Sequence, residues 1–180
     1  MIITKGSVIW LTGLSGSGKS TIASNLVSKL LQKNILAFNL DGDNLRNGLC
    51  SDLKFSISDR NENIRRAAEI SKLLANTGTN VIASFISPYI YQRTLVKNIC
   101  INDNIQFLEI FVNTPLEICE LRDTKGLYKK ARNGEILNFT GVNDPYEPPL
   151  SPNLVINTHT TPLNTSILQL ENLITSIKIL

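Results

Sequence analysis

Gly13-Leu14-Ser15-Gly16-Ser17-Gly18-Lys19-Ser20 decides how the rest of this chain is read. It follows an apolar run, Val8 to Thr12, and leads into Lys19 to Gln32, where Ile22, Leu26 and Leu30 recur at helical spacing. A glycine-rich turn between a strand and a helix is a phosphate cradle, because its backbone N–H groups point inward and the positive end of the helix dipole adds to their field. Every position of the Walker A pattern is filled, including the lysine that reaches the β- and γ-phosphates and the hydroxyl that ligates Mg²⁺. Gly13 to Thr21 therefore reads as an ATP site, with Lys19 catalytic and Ser20 a metal ligand, on a P-loop NTPase fold.

Working outward, Ile35 to Leu40, Asn80 to Phe85, Gln106 to Val112 and Leu154 to Asn157 are short, mostly apolar runs, as parallel strands buried on both faces should be. Helical patterns separate them. Asp59 to Asn76 places Ile64, Ala68 and Leu74 on one face, with Asp59 and Glu62 predicting a capping box and Gly78 a left-handed residue past the end. Thr114-Pro115-Leu116-Glu117 predicts another helix start, with Thr114 as N-cap and Pro115 in the first position. Ile167, Leu170, Ile174 and Ile177 form a closing stripe that packs on the sheet. The expected architecture is α/β: a five-stranded parallel sheet with helices on both faces, of the nucleoside-monophosphate-kinase type. Lys125 to Pro152, rich in charge, glycine and proline, reads as a mobile lid over the site, spanning about 123–150.

The 180 residues fit one domain, 1–180, large enough for a core without staples. With 42% hydrophobic and 18% charged residues, nothing requires a disordered tract. A net charge of +3 suits small polyanionic substrates but lacks the clustered Lys/Arg of a nucleic-acid footprint. Cys50, Cys100 and Cys119 have no paired spacing, so they read as packing residues in a reducing compartment. No run is long enough to span a membrane and no leader is evident, so a cytoplasmic location is expected.

Asp41-Gly42-Asp43-Asn44-Leu45-Arg46 closes the second strand, and ligands of open α/β sheets gather outside such strand ends. One carboxylate can orient an acceptor hydroxyl and help hold Mg²⁺, while Arg46 can fork onto an anionic group. Taken by itself, the segment reads equally well as an Asp-Gly turn with solvated charges. No Asp closes the third strand, where Val81-Ile82-Ala83-Ser84-Phe85 runs into Ile86, so the site needs an acid from elsewhere and Asp41 is best placed. The cradle leaves the reaction open. A nucleotide-gated switch would carry an Asn-Lys-x-Asp signature, which is missing, but kinases of nucleoside monophosphates, shikimate or gluconate share the fold.

Six ordered stretches narrow the choice: Asp41-Gly-Asp-Asn-Leu-Arg-Asn-Gly-Leu49, Phe55-Ser-Ile-Ser-Asp-Arg-Asn-Glu-Asn-Ile-Arg-Arg66, Phe85-Ile-Ser-Pro-Tyr89, Cys119-Glu-Leu-Arg-Asp123, Lys125-Gly-Leu-Tyr-Lys-Lys-Ala-Arg132 and Phe139-Thr-Gly-Val-Asn-Asp-Pro-Tyr-Glu147. With the cradle they resemble the motifs of the adenylylsulfate kinase family, as far as about Pro152. The resemblance implies a cytoplasmic homodimer in sulfate assimilation that uses ATP and Mg²⁺ to phosphorylate the 3'-hydroxyl of adenosine 5'-phosphosulfate.

It also implies roles. Asp41, Asp43, Asn44, Arg46, Arg60 and Asn63 would bind the acceptor, and the i, i+3 spacing puts the last two on one helix face. Phe55 and Phe139 would sandwich the acceptor adenine, while Ile86 and Ser87 hold the nucleotide. Arg122 would stack on the ATP adenine, and Lys125 and Lys130 would neutralise migrating charge as the lid closes. Ser87 is also the position of a described phosphoserine intermediate in the family. Direct in-line transfer is the expected route here, because no activating base is evident near Ser87. The chain departs from the family at Ile90 and Gln92, where Arg and Asp are frequent, and at Lys54 and Asn138, where Gly commonly precedes each aromatic.

Overall fold

The computed structural model describes residues 4–177. Its spine is β1 (Ser7–Thr12), buried along its whole length. β3 (Asn80–Ser84) and β4 (Gln106–Asn113) flank it, with β2 (Ala37–Asp41) outside β3 and β5 (Leu154–Asn157) outside β4, all parallel. Alternation along β1 feeds two cores. Ile9 and Leu11 pack with α1 (Lys19–Gln32) and α7 (Leu163–Ile177), whereas Val8 and Trp10 pack with α3 (Ile57–Asn76) and α4 (Ile90–Asn102). Central strands covered twice have no polar face, which is why the sequence shows apolar runs there. Ile167, Leu170 and Ile174 join the first core as expected; the side chain of Ile177 lies outside the described residues.

Element ends depart from the local reading in three places. β2 starts at Ala37, because Ile35 donates its N–H to Leu30 O at 3.0 Å and so closes α1, with Asn34 left-handed at φ 57° between them. The cap of α3 is Ser56, whose hydroxyl accepts from the Asp59 N–H at 3.1 Å, so Asp59 lies inside the first turn. Glu62, freed from capping, pairs with Arg65 and Arg66. α5 (Leu116–Arg122) begins after Pro115 rather than at it, and the Thr114 hydroxyl turns to Ser17 O and the Thr158 hydroxyl. Only Thr114 is drawn off by distant partners; the other two shifts are made by residues a few positions away. Gly78 does follow α3 in the left-handed region, at φ 87°.

The stretch after Arg122 carries more structure than a bare loop. α6 (Leu127–Arg132) forms within it, and Tyr128, Ala131 and Phe139 pack with Cys119 into a small third core. A short α2 (Gly42–Asn47) and α4 are further additions to the elements read from sequence. The three cysteines are buried free thiols. No described helix is long and apolar enough to cross a membrane.

The α1 face of the sheet carries one of the two large cores. Leu26 is fully buried in the first core, so Leu26→Ala is expected to lower stability by about 2–5 kcal/mol. Leu31, half exposed on the same helix, should respond to the same change by less than about 0.5 kcal/mol. Urea unfolding of both variants checks the contrast, and equal midpoints would overturn this placement of the core.

Candidate active site

The register brings the carboxyl ends of the strands level, Asp41 beside Ser84 and Ser84 beside Leu11. A cavity of about 800 Å³ opens there, running from the cradle to Phe55 and Phe139. The cradle is built as its sequence requires. Gly13 sits at φ 152°, and a Cβ there would lie 2.4 Å from Val112 O, so only glycine lets β1 turn against β4. Lys19 is buried beneath the turn and donates to the carbonyls of Gly13 (2.9 Å) and Leu14 (2.8 Å). Burial draws its pKa down from 10.5 to about 8, against the opposing pull of Asp41 and Asp43. Ser15, Gly16, Gly18, Ser20 and Thr21 line the cavity, whereas Gly13, Leu14 and Ser17 shape it from behind.

Asp41 links the two ends of the cavity. Its carboxylate accepts from Ser20 Oγ at 2.7 Å, Ser84 Oγ at 2.9 Å and the Asp43 N–H at 2.9 Å, the last capping α2. Partial burial works to raise its pKa, but these donors prevail and hold it below the ordinary carboxylate value. Among the described residues no cluster of three His, Cys, Asp or Glu side chains could grip a metal alone. A hydroxyl and a carboxylate 2.7 Å apart are nonetheless the hard-oxygen pair that Mg²⁺ takes when phosphates and water complete its shell.

Every acceptor candidate but Asn44 lines the cavity. Asn44 is exposed and contributes only its backbone N–H toward Asp41. Asn63 is 4% exposed, and its Nδ2 has no partner among the described residues, a buried donor suited to a ligand. Arg46 lies over the Phe55 ring, 4.5 Å from its centroid, and its pKa is lowered by burial and then by the charge of Arg60. Two guanidinium groups held together in this way favour an anion between them. Arg60 is also tied to the segment around Phe139, donating to Asn138 O, Thr140 Oγ1 (3.0 Å) and Asp144 (3.2 Å). Phe139 is fixed against Tyr128 with rings 5.0 Å apart, edge to face. Asn138, at φ 57°, supplies the left-handed turn before it, the conformation that Asn tolerates best after Gly. Lys125 crosses the mouth to pair with Asp43.

Ser87 is buried, with its Oγ accepting from the Trp10 indole at 3.0 Å. No general base contacts the hydroxyl among the described residues, so nothing there would activate it as a nucleophile. Arg122 donates to Gly16 O, Thr158 Oγ1 and Thr158 O, bracing the cradle against the β5–α7 turn with its guanidinium at the cavity wall. Reading by motif missed Thr158, Thr161 and Ser166, which line the donor end beside Arg122. It also missed a group behind Ser87, in which buried Arg93 meets the partly buried Glu109 and Tyr146. Periodicity carries no sign of these, because their partners lie in distant segments.

Residues 5–157 match the family described as adenylylsulphate kinase. The chain is 52% identical over 159 residues to an adenylyl-sulfate kinase of Clostridium acetobutylicum, covering 88% of this chain and 78% of that protein. One from Shewanella amazonensis is 48% identical over 166 residues, covering 92% and 83%. The solved Mycobacterium tuberculosis APS kinase CysC in complex with AMPPNP and APS superposes with a TM-score of 0.93 at 45% identity, over 95% of this chain and 98% of that one.

The buried lysine gives nucleotide binding a pH dependence. Lys19 is a cation below about pH 8 and loses its proton above it, unless a polyphosphate restores the charge. ATP affinity should therefore fall as pH rises through 8, by up to about tenfold per pH unit. Stability moves the other way: between about 8 and 10.5 the unfolded chain holds the proton and the folded one does not, so the unfolding free energy rises with pH. Titrating ATP binding at pH 7, 8 and 9, with Lys19→Met as control, checks this. A flat wild-type profile would remove Lys19 from the phosphate contact.

Proposed function

This chain belongs to the adenylylsulphate kinase family, and from that premise we propose how its site works. It is an ATP-dependent phosphotransferase acting on adenosine 5'-phosphosulfate, moving the γ-phosphoryl group to the 3'-hydroxyl to give 3'-phosphoadenosine 5'-phosphosulfate. One observation carries the reading: a single cavity joins the phosphate cradle to a wall of paired arginines, a free buried amide and two aromatic rings, with Asp41 between. Such a cavity holds two nucleotides end to end, and phosphoryl transfer between them needs only alignment and charge stabilisation.

In this proposal the triphosphate lies along the cradle N–H groups, and Lys19 leaves the carbonyls of Gly13 and Leu14 to follow the γ-phosphoryl group. Ser20 and Asp41 would hold Mg²⁺, which when bound neutralises the β- and γ-oxygens. Asp41 also orients the 3'-hydroxyl for in-line attack. Arg122 faces the donor adenine, while Phe55 and Phe139 clasp the acceptor adenine, each stacked base being worth about 1–3 kcal/mol. Arg46 and Asn63 meet the acceptor's anionic and polar groups. Arg60 acts mainly by holding the Phe139 segment, and Asp43 releases Lys125 to the phosphates. Ser87 contributes a hydroxyl and backbone contact rather than a phosphoenzyme.

The proposal extends to one kinase domain over 1–180, with 123–150 as lid, and to a cytoplasmic homodimer in sulfate assimilation. Leu36, just before the edge strand β2, and Phe38 on it are exposed and support the dimer as apolar surface that a second copy would cover.

A coupled ADP-release assay across adenosine 5'-phosphosulfate, AMP, shikimate and gluconate tests the substrate, and preference for any of the last three would sink it. Asp41→Asn keeps the shape and removes the charge. Turnover should fall by about 10²-fold or more, with acceptor affinity much less affected. Near-normal turnover at saturating Mg²⁺ would transfer the role to Asp43.

A further inference from the structure

Arg93 on α4 is 2% exposed, and it does not line the cavity. Each of its three guanidinium nitrogens nevertheless makes a hydrogen bond at the back of the acceptor site. Nε donates to Glu109 Oε1 at 2.7 Å, Nη1 to Ser87 O at 2.6 Å and Nη2 to Glu147 O at 2.6 Å, with the Tyr146 ring 5.8 Å away. Beside it the Tyr146 hydroxyl lies 3.0 Å from Thr12 Oγ1, and Thr12 donates to Ile86 O at 2.7 Å. The carbonyls of Ile86 and Ser87 are thus both gripped from behind, on the face away from the cavity that those two residues line.

The grip has a purpose in backbone geometry. Ser87 sits at φ 38°, a conformation that non-glycine residues adopt rarely, and a side chain keeps it only where the surroundings over-determine it. Stability alone does not call for an arginine here, since a buried ion pair is often matched by apolar residues of the same volume. What an apolar residue cannot do is fork onto two chosen carbonyls.

We infer that Arg93 is a positioning residue for the acceptor nucleotide: by clamping the carbonyls of Ser87 and Glu147 it holds the Ile86–Ser87 turn in the left-handed geometry that aims Ser87 into the acceptor site. The inference rests on the acceptor reading above. Glu109 supplies the countercharge, and Tyr146 is the second jaw of the clamp.

The test is a set of variants with steady-state kinetics and thermal melts. Arg93→Lys keeps the charge but cannot fork, so the acceptor KM should rise about tenfold or more, while the ATP KM stays within about twofold. Glu109→Gln keeps an oxygen for Nε but loses the countercharge, so it should lower the melting temperature and leave the acceptor KM within about twofold of wild type. In a Ser87→Ala background Arg93→Lys should add less than it does alone. Tyr146→Phe, which removes one hydroxyl, serves if Arg93→Lys does not fold and should raise the acceptor KM alone, to a smaller extent.

Four results would overturn the inference: a parallel rise in both KM values, an equal acceptor KM rise in Glu109→Gln at matched stability loss, full additivity with Ser87→Ala, or an unchanged acceptor KM in Tyr146→Phe. Wild-type protein that fails to phosphorylate adenosine 5'-phosphosulfate would instead overturn the acceptor reading, and this inference with it.

Discussion

The Asp41 carboxylate is shared by three segments that the chain delivers from different directions. Ser20 arrives on the first turn of α1, Ser84 at the end of β3 and the Asp43 N–H on the first turn of α2, and each donates to it within 3 Å. The donor cradle and the acceptor wall are therefore fixed relative to each other through one group. The arrangement also accounts for the missing acid on β3. Because β2 lies next to β3 with Asp41 in register with Ser84, a carboxylate one strand over reaches the place where a β3 acid would project. Ser84 joins it there as a donor. The three bonds keep Asp41 ionised against its partial burial, and a charged group at that point is what a metal and a reacting hydroxyl both require.

The parallel sheet was legible because strands covered on both faces must be apolar throughout, which leaves a mark in the composition of Val8 to Leu11 and Val81 to Ala83 that no loop would carry. Element ends were less so. Asp59 and Thr114 have the right chemistry for caps, yet Ser56 lies closer to the first case and Ser17 and Thr158 draw off the second. Local propensity is a weak prior once tertiary partners are within reach. The lid shows the same limit, since the small core of Tyr128, Ala131 and Phe139 is assembled from residues whose spacing spans two different conformations.

The candidate site divides along similar lines. The cradle and the acceptor candidates sit in contiguous motifs, so the cradle could be read from its pattern and the candidates named from the family resemblance. Arg93, Glu109 and Tyr146 could not be, because their common meeting point exists only after α4, β4 and the segment beyond the lid have folded together. Asn138 lies between these cases. Standing before Phe139 where glycine is common, it raised a question that its φ of 57° answers: the turn demands a left-handed residue, and Asn is the side chain that meets the demand with least strain.

The two aromatic rings proposed to clasp the acceptor adenine differ in how they are held, and under that proposal this bears on the order of events in binding. Phe139 is 9% exposed, braced by Tyr128, by the Asn143 side chain on its N–H and by the bonds from Arg60 to its neighbours. Phe55 is 60% exposed, with Arg46 over its ring and Arg60 bonded to its carbonyl. A wall that is already packed loses little entropy when a base stacks on it, whereas an exposed ring must be ordered at that moment. An acceptor that meets Phe139 first and then gathers Phe55 places the ordering step last, after the nucleotide is aligned. Arg46 couples that step to charge, because the same guanidinium that rests on Phe55 stands beside Arg60, where an anionic group would relieve their repulsion. If the acceptor binds as proposed, adenine recognition and recognition of the anionic end would be joined through a single side chain, and a ligand offering only one of the two would leave Phe55 or the arginine pair unsatisfied.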